Sequence, residues 1–218
     1  LYPFTATRHT SDIRVGILTI KEKWTYFPQF HISTVIPLFT GYPVTENESP
    51  AIFEANIIPT KEWLDSLLNY RHNDIEILDA DRMKILEYPW QIFQYNDWAL
   101  RKDFELITSG RVSQPVSSTN KIIRGENIFL EEGAVVEHSF LNASAGPIYI
   151  GKDAQVMEGC MIRGAFALCE GAVLKMGSKV YGATTIGTYC NAAGEIKNAV
   201  MFGYSNKSHD GYLGDSVI

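Results

Sequence analysis

From Ile150 to Asn191 an aliphatic residue returns at every sixth position: Ile150, Val156, Ile162, Leu168, Leu174, Val180 and Ile186. An α-helix repeats near 3.6 residues and a flat strand near 2, so neither carries a period of six over seven positions, whereas a hexapeptide β-helix does. Four residues after each aliphatic stand Ala154, Cys160, Phe166, Ala172, Ser178, Thr184 and Cys190, small in every case but Phe166. A chain that lays a short strand, bends and lays another points one residue of each strand inward and keeps the position near the bend slim. Three such sides make a coil of about 18 residues, which predicts that Ile150, Leu168 and Ile186 stack above one another. Glycine or acid follows near the outer turns, at Gly151-Lys152-Asp153, Glu170-Gly171 and Gly187, where tight bends favour them.

The register runs backward through Leu130-Glu131-Glu132-Gly133-Ala134-Val135 and Val136 to Leu141. Asn142 to Tyr149 then uses eight residues where six are usual, which predicts a bulge at a corner near Gly146-Pro147. Forward, Ala192 to Lys197 keeps six. Asn198 to Tyr212 takes fifteen before Leu213-Gly214-Asp215-Ser216-Val217-Ile218 resumes the pattern, so nine surplus residues are expected to leave the prism as a loop. Loops on a rigid scaffold are where function concentrates.

Residues 1–108 lack the six-residue period and read as mixed α/β. Ile13, Ile17, Ile20 and Trp24 stand at helical spacing within Asp12 to Trp24. Ile32 to Phe39 and Ala51 to Ile58 are apolar, β-branched and bounded by Pro or Gly, as strands are. Thr60 is placed to cap a helix over Lys61 to Tyr70, Ile75 to Leu78 forms a further strand, and Pro89 opens a longer helix reaching Ile107 whose inner face carries Phe93, Leu100, Phe104 and Ile107. Residues 109–120, rich in Ser, Gly and Pro, read as a linker, and 121–218 as the β-helix domain.

A formal charge of −6 argues against general binding to nucleic acid or an anionic membrane, and no apolar run approaches the ~20 residues of a membrane span. A secretory signal peptide pattern is not seen. The three cysteines, Cys160, Cys169 and Cys190, are odd in number and lack CxxC spacing, and Cys160 and Cys190 occupy the slim inward slot, which suits reduced thiols in a core and a cytoplasmic protein. A chain that begins at Leu1 without Met and stops at Ile218 in mid-pattern reads as a fragment.

The prism carries few reactive groups, so chemistry is expected on the projecting loop. His209 is the candidate general base, with Ser208, Asp210 and Tyr212 as neighbours that orient it; a solvated loop histidine is the plain alternative. Lys179 and Lys197 lie eighteen residues apart, one full coil, and are expected to stack as a vertical pair, either a phosphate clamp or a solvated face.

The segment Glu195-Ile196-Lys197-Asn198-Ala199, followed by Gly203, Lys207, His209 and Tyr212-Leu213-Gly214-Asp215, resembles the acetyltransferase half of the bifunctional N-acetylglucosamine-1-phosphate uridylyltransferase/glucosamine-1-phosphate acetyltransferases. The resemblance covers Ile150 to Ile218. It implies a left-handed parallel β-helix that trimerises, with acetyl-CoA and the amino sugar bound between neighbouring prisms. By position, His209 resembles the base that takes the proton from the sugar amine, and Lys197 and Tyr212 resemble sugar-phosphate ligands. Lys179 stands where that family has an arginine, and lysine lacks the planar fork. At the other end, Leu1-Tyr2-Pro3-Phe4-Thr5-Ala6-Thr7-Arg8 with Ile13-Arg14-Val15-Gly16-Ile17-Leu18 resembles sugar nucleotidyltransferase domains just after their glycine-rich loop, and more closely a shortened, nucleotidyltransferase-like variant. Ordinary members continue with Pro-Lys, whose lysine meets the phosphates; here His9-Thr10 stands there.

Together these readings lead to an acetyl-CoA-dependent N-acyltransferase acting on an amino-sugar 1-phosphate in sugar-nucleotide biosynthesis, with Lys179, Lys197 and Tyr212 as substrate ligands, His209 as base and no bound metal. Two alternatives remain: a Mg²⁺-dependent sugar-1-phosphate nucleotidyltransferase, and a non-catalytic sugar-nucleotide-binding protein. A zinc carbonic anhydrase on the same scaffold needs three His ligands per metal, and the repeat region holds only His138 and His209.

Overall fold

Stacking apolar side chains at six-residue intervals inside a coil requires the chain to close into a three-sided spiral, and the computed structural model of the protein has that form from Lys121 onward. It describes residues 1–27, 30–32, 38–41, 51–69 and 82–218. The described chain separates into two compact units, residues 1–13 with 18–91, and residues 14–17 with 92–218.

In the second unit all strand pairs are parallel. The first side stacks Ile128–Leu130, Ile148–Ile150, Phe166–Leu168, Thr184–Ile186 and the end of Glu195–Met201. The second side stacks Val135–Val136, Gln155–Val156, Val173–Leu174, Asn191–Ala192 and Asn206–Lys207. The third runs from Lys121–Ile123 through Phe140–Asn142, Met161–Arg163, Lys179–Tyr181 and the start of Glu195–Met201 to Tyr212–Val217. Ile150, Leu168 and Ile186 are register partners, as the period predicts. All seven repeat aliphatics lie in one buried core together with Ala154, Cys160, Phe166, Ala172 and Cys190. Burial pushes the Cys160 and Cys190 thiols up from their usual range, which keeps them protonated fillers. The bulge also falls where expected: the first-side register advances from Ile128 to Ile148, and the extra residues form the corner 143–147.

The coil after Ile186 departs from the expected count. Val180 pairs with Ile196, sixteen positions on, and Thr185 with Val200, fifteen on. Ala193-Gly194 turns the corner that Lys175-Met176-Gly177-Ser178 turns one coil below, with Gly194 at φ +81°. Two consequences overturn expectations. Lys179 lies opposite Glu195, and Lys197 opposite Tyr181, so the two lysines share the third side but do not stack. Asn198 to Tyr212 does not leave the prism either, because Ala199, Met201 and Phe202 are buried and Asn206 and Lys207 pair with Asn191 and Ala192. An aliphatic residue claims the inward slot over a polar one even when the corner must shorten, and Asn198 sits at the slot that an unbroken six would have made internal.

Most of the first side is buried on both faces. Its outward residues Phe129, Ala167, Thr185 and Val200 are buried and Tyr149 is half-buried, and the helix Asn96–Thr108 packs on Thr184–Ile186. Asn96 and Asp103 lie in the buried stripe of that helix with Ala99, Leu100 and Ile107. Asn96 Nδ2 donates to the Ala183 carbonyl at 2.9 Å, Gly16 N–H donates to Asn96 Oδ1 at 2.8 Å, and Ile17 N–H donates to Asp103 Oδ2 at 2.8 Å. A Cβ at Gly16 would collide with that carboxylate and with the Ala99 carbonyl carbon at 2.8 Å. The predicted single helix from Pro89 to Ile107 is two, Gln91–Gln94 and Asn96–Thr108, and Phe93 and Phe104 are half-buried. Part of the expected linker closes the first coil: Asn120 Nδ2 donates to the Val136 carbonyl at 2.7 Å, and its Oδ1 accepts from Ser139 N–H at 2.9 Å.

In the first unit, helix Ile20–Thr25 starts at a capping box of Thr19 and Glu22, later than the helical spacing from Asp12 suggests, because residues 13–19 are extended and turned. Helix Lys61–Asn69 follows Thr60, whose hydroxyl accepts from Trp63 N–H at 3.3 Å. Trp24, Phe53 and Trp63 form an aromatic cluster with centroids 5.4–6.2 Å apart. The expected strand Ala51 to Ile58 is split into Ala51–Glu54 and Ile57–Ile58, and the expected strand Ile32 to Phe39 is described only at its ends, in Phe30–Ile32 and Leu38–Gly41. Ile75 to Leu78 lies outside the described residues.

Gly187 faces the next coil so closely that a Cβ would sit 2.6 Å from the Met201 carbonyl oxygen and 2.7 Å from Gly203 N, whereas Gly177, at φ +70°, has open space around it. Gly187→Ala is expected to destabilise the protein by about 2–4 kcal/mol and Gly177→Ala by about 1–2 kcal/mol; denaturant midpoints of the two variants against the parent measure the difference.

Candidate functional site

The shortened corner at Ala193-Gly194 brings the third-side strands of successive coils into a cleft of about 440 Å³, lined by Met176, Lys179, Glu195, Asp210, Gly211 and Tyr212 among others. Lys179, Glu195 and Tyr212 stand on three adjacent strands in one register column, Lys179 opposite Glu195 and Glu195 opposite Tyr212. The Tyr181 hydroxyl donates to Glu195 Oε1, and this hydrogen bond, with some burial and the carboxylate charge, raises the Tyr181 phenol above its usual range. Tyr212 is 59% exposed and its ring folds along the sheet over Gly214, where any Cβ would meet the phenol.

Of the residues picked out from the sequence, Lys179 and Tyr212 line this cleft. Lys197 lies two residues along the strand from Glu195, exposed, between register partners Tyr181 and Gly214. His209 stands at the corner 208–211 that feeds the third side, exposed and next to Asp210. Its expected helpers are placed otherwise: the Ser208 hydroxyl donates to Asn206 Oδ1, and Asp210 and Tyr212 line the cleft without a hydrogen bond to the His209 ring among the described residues. Asp210, expected as a helper of His209, faces the cleft instead, and Glu195 joins it as a lining carboxylate. The signal for Glu195 was the aliphatic pair Val180 and Ile196 sixteen apart, which places an acid opposite Lys179.

The charged lining of the cleft is one lysine and two carboxylates. That arrangement favours a bound cation over an isolated anion, while Lys197 offers a positive charge a few residues away on the same side. No group of three or more His, Cys, Asp or Glu placed to hold a metal ion occurs among the described residues. Burial, and then the Glu131 carboxylate to which its hydroxyl donates at 3.0 Å, hold the Tyr149 phenol far above the usual range.

Below the cleft the third side is an open trough of about 830 Å³, lined by Ile122, Ile123, Phe140 and Met161 together with Lys121, Arg163 and Lys179. Ile123, Phe140 and Met161 are each more than half exposed, a contiguous apolar strip unusual on a free surface.

The sugar nucleotidyl transferase family matches residues 1–81. No curated protein matches the chain. The N-terminal region is therefore nucleotidyltransferase-like, and a parallel β-solenoid follows it. Within the matched region His9 takes a local structural part: its Nδ1 accepts from Ser11 N–H at 3.2 Å and caps the turn Thr10–Asp12. No helix among the described residues is long and apolar enough to cross a membrane.

Glu195→Gln removes the carboxylate that holds the Tyr181 proton. The Tyr181 titration, followed by tyrosine ring NMR, is expected to move down toward the ordinary phenol value of about 10; an unchanged titration would place the cause elsewhere.

Proposed function

We propose that the protein is an acyl-CoA-dependent N-acyltransferase that acts on an amino-sugar 1-phosphate, glucosamine 1-phosphate being the reference substrate and acetyl-CoA the acyl donor. The observation that supports this most is the placement of His209 at the corner leading into the strand of Tyr212, beside a cleft that holds Lys179, Glu195 and Asp210. The two carboxylates attract the ammonium form of the acceptor, which gives up one proton to solvent to become the attacking amine. Lys197, Lys179 and the Tyr212 hydroxyl receive its phosphate and hydroxyl groups. His209 accepts a proton from the nitrogen as the amine attacks the thioester carbonyl. The tetrahedral intermediate collapses with cleavage of the C–S bond, and the departing thiolate takes that proton back from His209 to leave as free CoA, with the amide as the second product and the imidazole neutral again. The apolar trough of the third side supports assembly of three copies, whose neighbouring prisms wall the cleft on its open side.

Purified protein given glucosamine 1-phosphate and acetyl-CoA is expected to release free CoA. His209→Ala is expected to lower turnover by about 10²–10⁴-fold; turnover untouched by that substitution would remove the mechanism. For the assembly, Met161→Lys places a charge in the trough and is expected to convert a trimer into monomers in sedimentation equilibrium, while a monomeric parent would sink the trimer.

A second reading is favoured by the family match over residues 1–81, namely Mg²⁺-dependent nucleotidyl transfer from a nucleoside triphosphate to a sugar 1-phosphate. Release of pyrophosphate would separate it from acyl transfer, and His9-Thr10 in place of Pro-Lys weighs against it.

A further inference from the structure

Lys207 is the last residue of Asn206–Lys207 on the second side, just before the corner that carries His209. Its ammonium nitrogen lies 2.7 Å from the Ala193 carbonyl oxygen, 2.9 Å from that of His209 and 3.0 Å from that of Gly211. An ammonium has three N–H donors, and here each has a carbonyl. A lysine engaged in this way has no donor left for a substrate phosphate, which sets it apart from Lys179 and Lys197.

The three carbonyls belong to two successive coils. Ala193 sits in the shortened corner below, and its own N–H donates to the Lys207 carbonyl at 2.8 Å, so the two residues are tied in both directions. His209 and Gly211 bracket Asp210 in the corner above. The Gly211 carbonyl also accepts from Glu195 N–H at 3.1 Å, and Gly211 has φ +127°. One cation thus holds both ends of the tripeptide 209–211 against the coil beneath. With those carbonyls held, the backbone that carries His209 is restrained beside the strands of Lys179 and Tyr212.

We infer that Lys207 is a positioning residue for His209: its ammonium clamps the carbonyls of Ala193, His209 and Gly211 and so sets where the imidazole stands. The inference deepens the acyl-transfer reading and rests on it for its catalytic consequence, while the clamp itself can be measured without turnover. Arginine cannot replace it, because a planar fork does not direct three donors from one nitrogen at three carbonyls.

Lys207→Met is expected to speed amide exchange at Asp210 and Gly211, shift the His209 Cε1–H resonance, and lower kcat by about 10–100-fold with KM for both substrates nearly unchanged. Lys207→Cys is expected to behave likewise. Alkylation of that variant with 2-bromoethylamine rebuilds a cation of the same length and is expected to restore exchange protection and kcat; iodoacetamide, which adds no charge, is not. The buried native cysteines leave position 207 as the reactive thiol. Should these variants fail to fold, the unmutated protein still decides the matter: a clamped Lys207 ammonium gives a slowly exchanging ¹⁵N signal with couplings to the three carbonyl carbons. Unchanged protection at residues 210–211 in Lys207→Met, equal rescue by iodoacetamide, or a freely exchanging ammonium would overturn the proposal. Loss of protection in Lys207→Met when the parent releases no CoA supports the clamp and sinks only the acyl-transfer reading.

Discussion

Everything in the C-terminal unit follows from burying one aliphatic side chain per side in a three-sided coil. The backbone of each strand is hydrogen-bonded to the coils above and below, so only the inward side chains decide how long a side can be and where the chain must bend. Ile150, Leu168 and Ile186 set that length, and slim residues such as Ala154 and Ala172 leave room for the corner. A solenoid of this kind tolerates added residues at a corner, as at 143–147, or lost ones, as at Ala193-Gly194, because each coil touches only its neighbours.

The lost residues at Ala193-Gly194 shape the candidate site. A full six-residue side would have stacked Lys179 on Lys197 and left His209 on a projecting loop. The shorter corner moves the strand by two residues, and a two-residue step keeps every side chain on its own face of the sheet. Glu195 therefore meets Lys179, Lys197 meets Tyr181, and the His209 corner is drawn down onto the prism, where Lys207 can reach the carbonyls around it. The expected cation pair becomes a register column of Lys179, Glu195 and Tyr212 with the Asp210 carboxylate beside it.

A different constraint acts on the first side. Most of its outward residues are small or apolar, and the helix Asn96–Thr108 packs on Thr184–Ile186 with a stripe that includes Asn96 and Asp103. Buried polar groups are tolerated only when paired, and here they are answered by the backbone of Gly16, Ile17 and Ala183. Helical periodicity in residues 89–107 points to Leu100 and Ile107, but it counts Phe93 and Phe104 as core because they are apolar and passes over Asn96 and Asp103 because they are not. Periodicity measures hydrophobicity, and it has no means of seeing a hydrogen-bond partner contributed by residues some eighty positions away.

The amino-acid sequence by itself determined the coil, its inward residues, the bulge before Ile148 and the family resemblance at both ends, since each of these rests on side chains whose preference for burial or bending is local. It also named His209, Lys179, Lys197 and Tyr212, residue types suited to proton transfer and anion contact. Only the tertiary structure decided which of them are neighbours. Register between coils depends on the summed length of three sides and three corners, and a shortfall of two residues at one corner changes every pairing above it while leaving the local pattern intact.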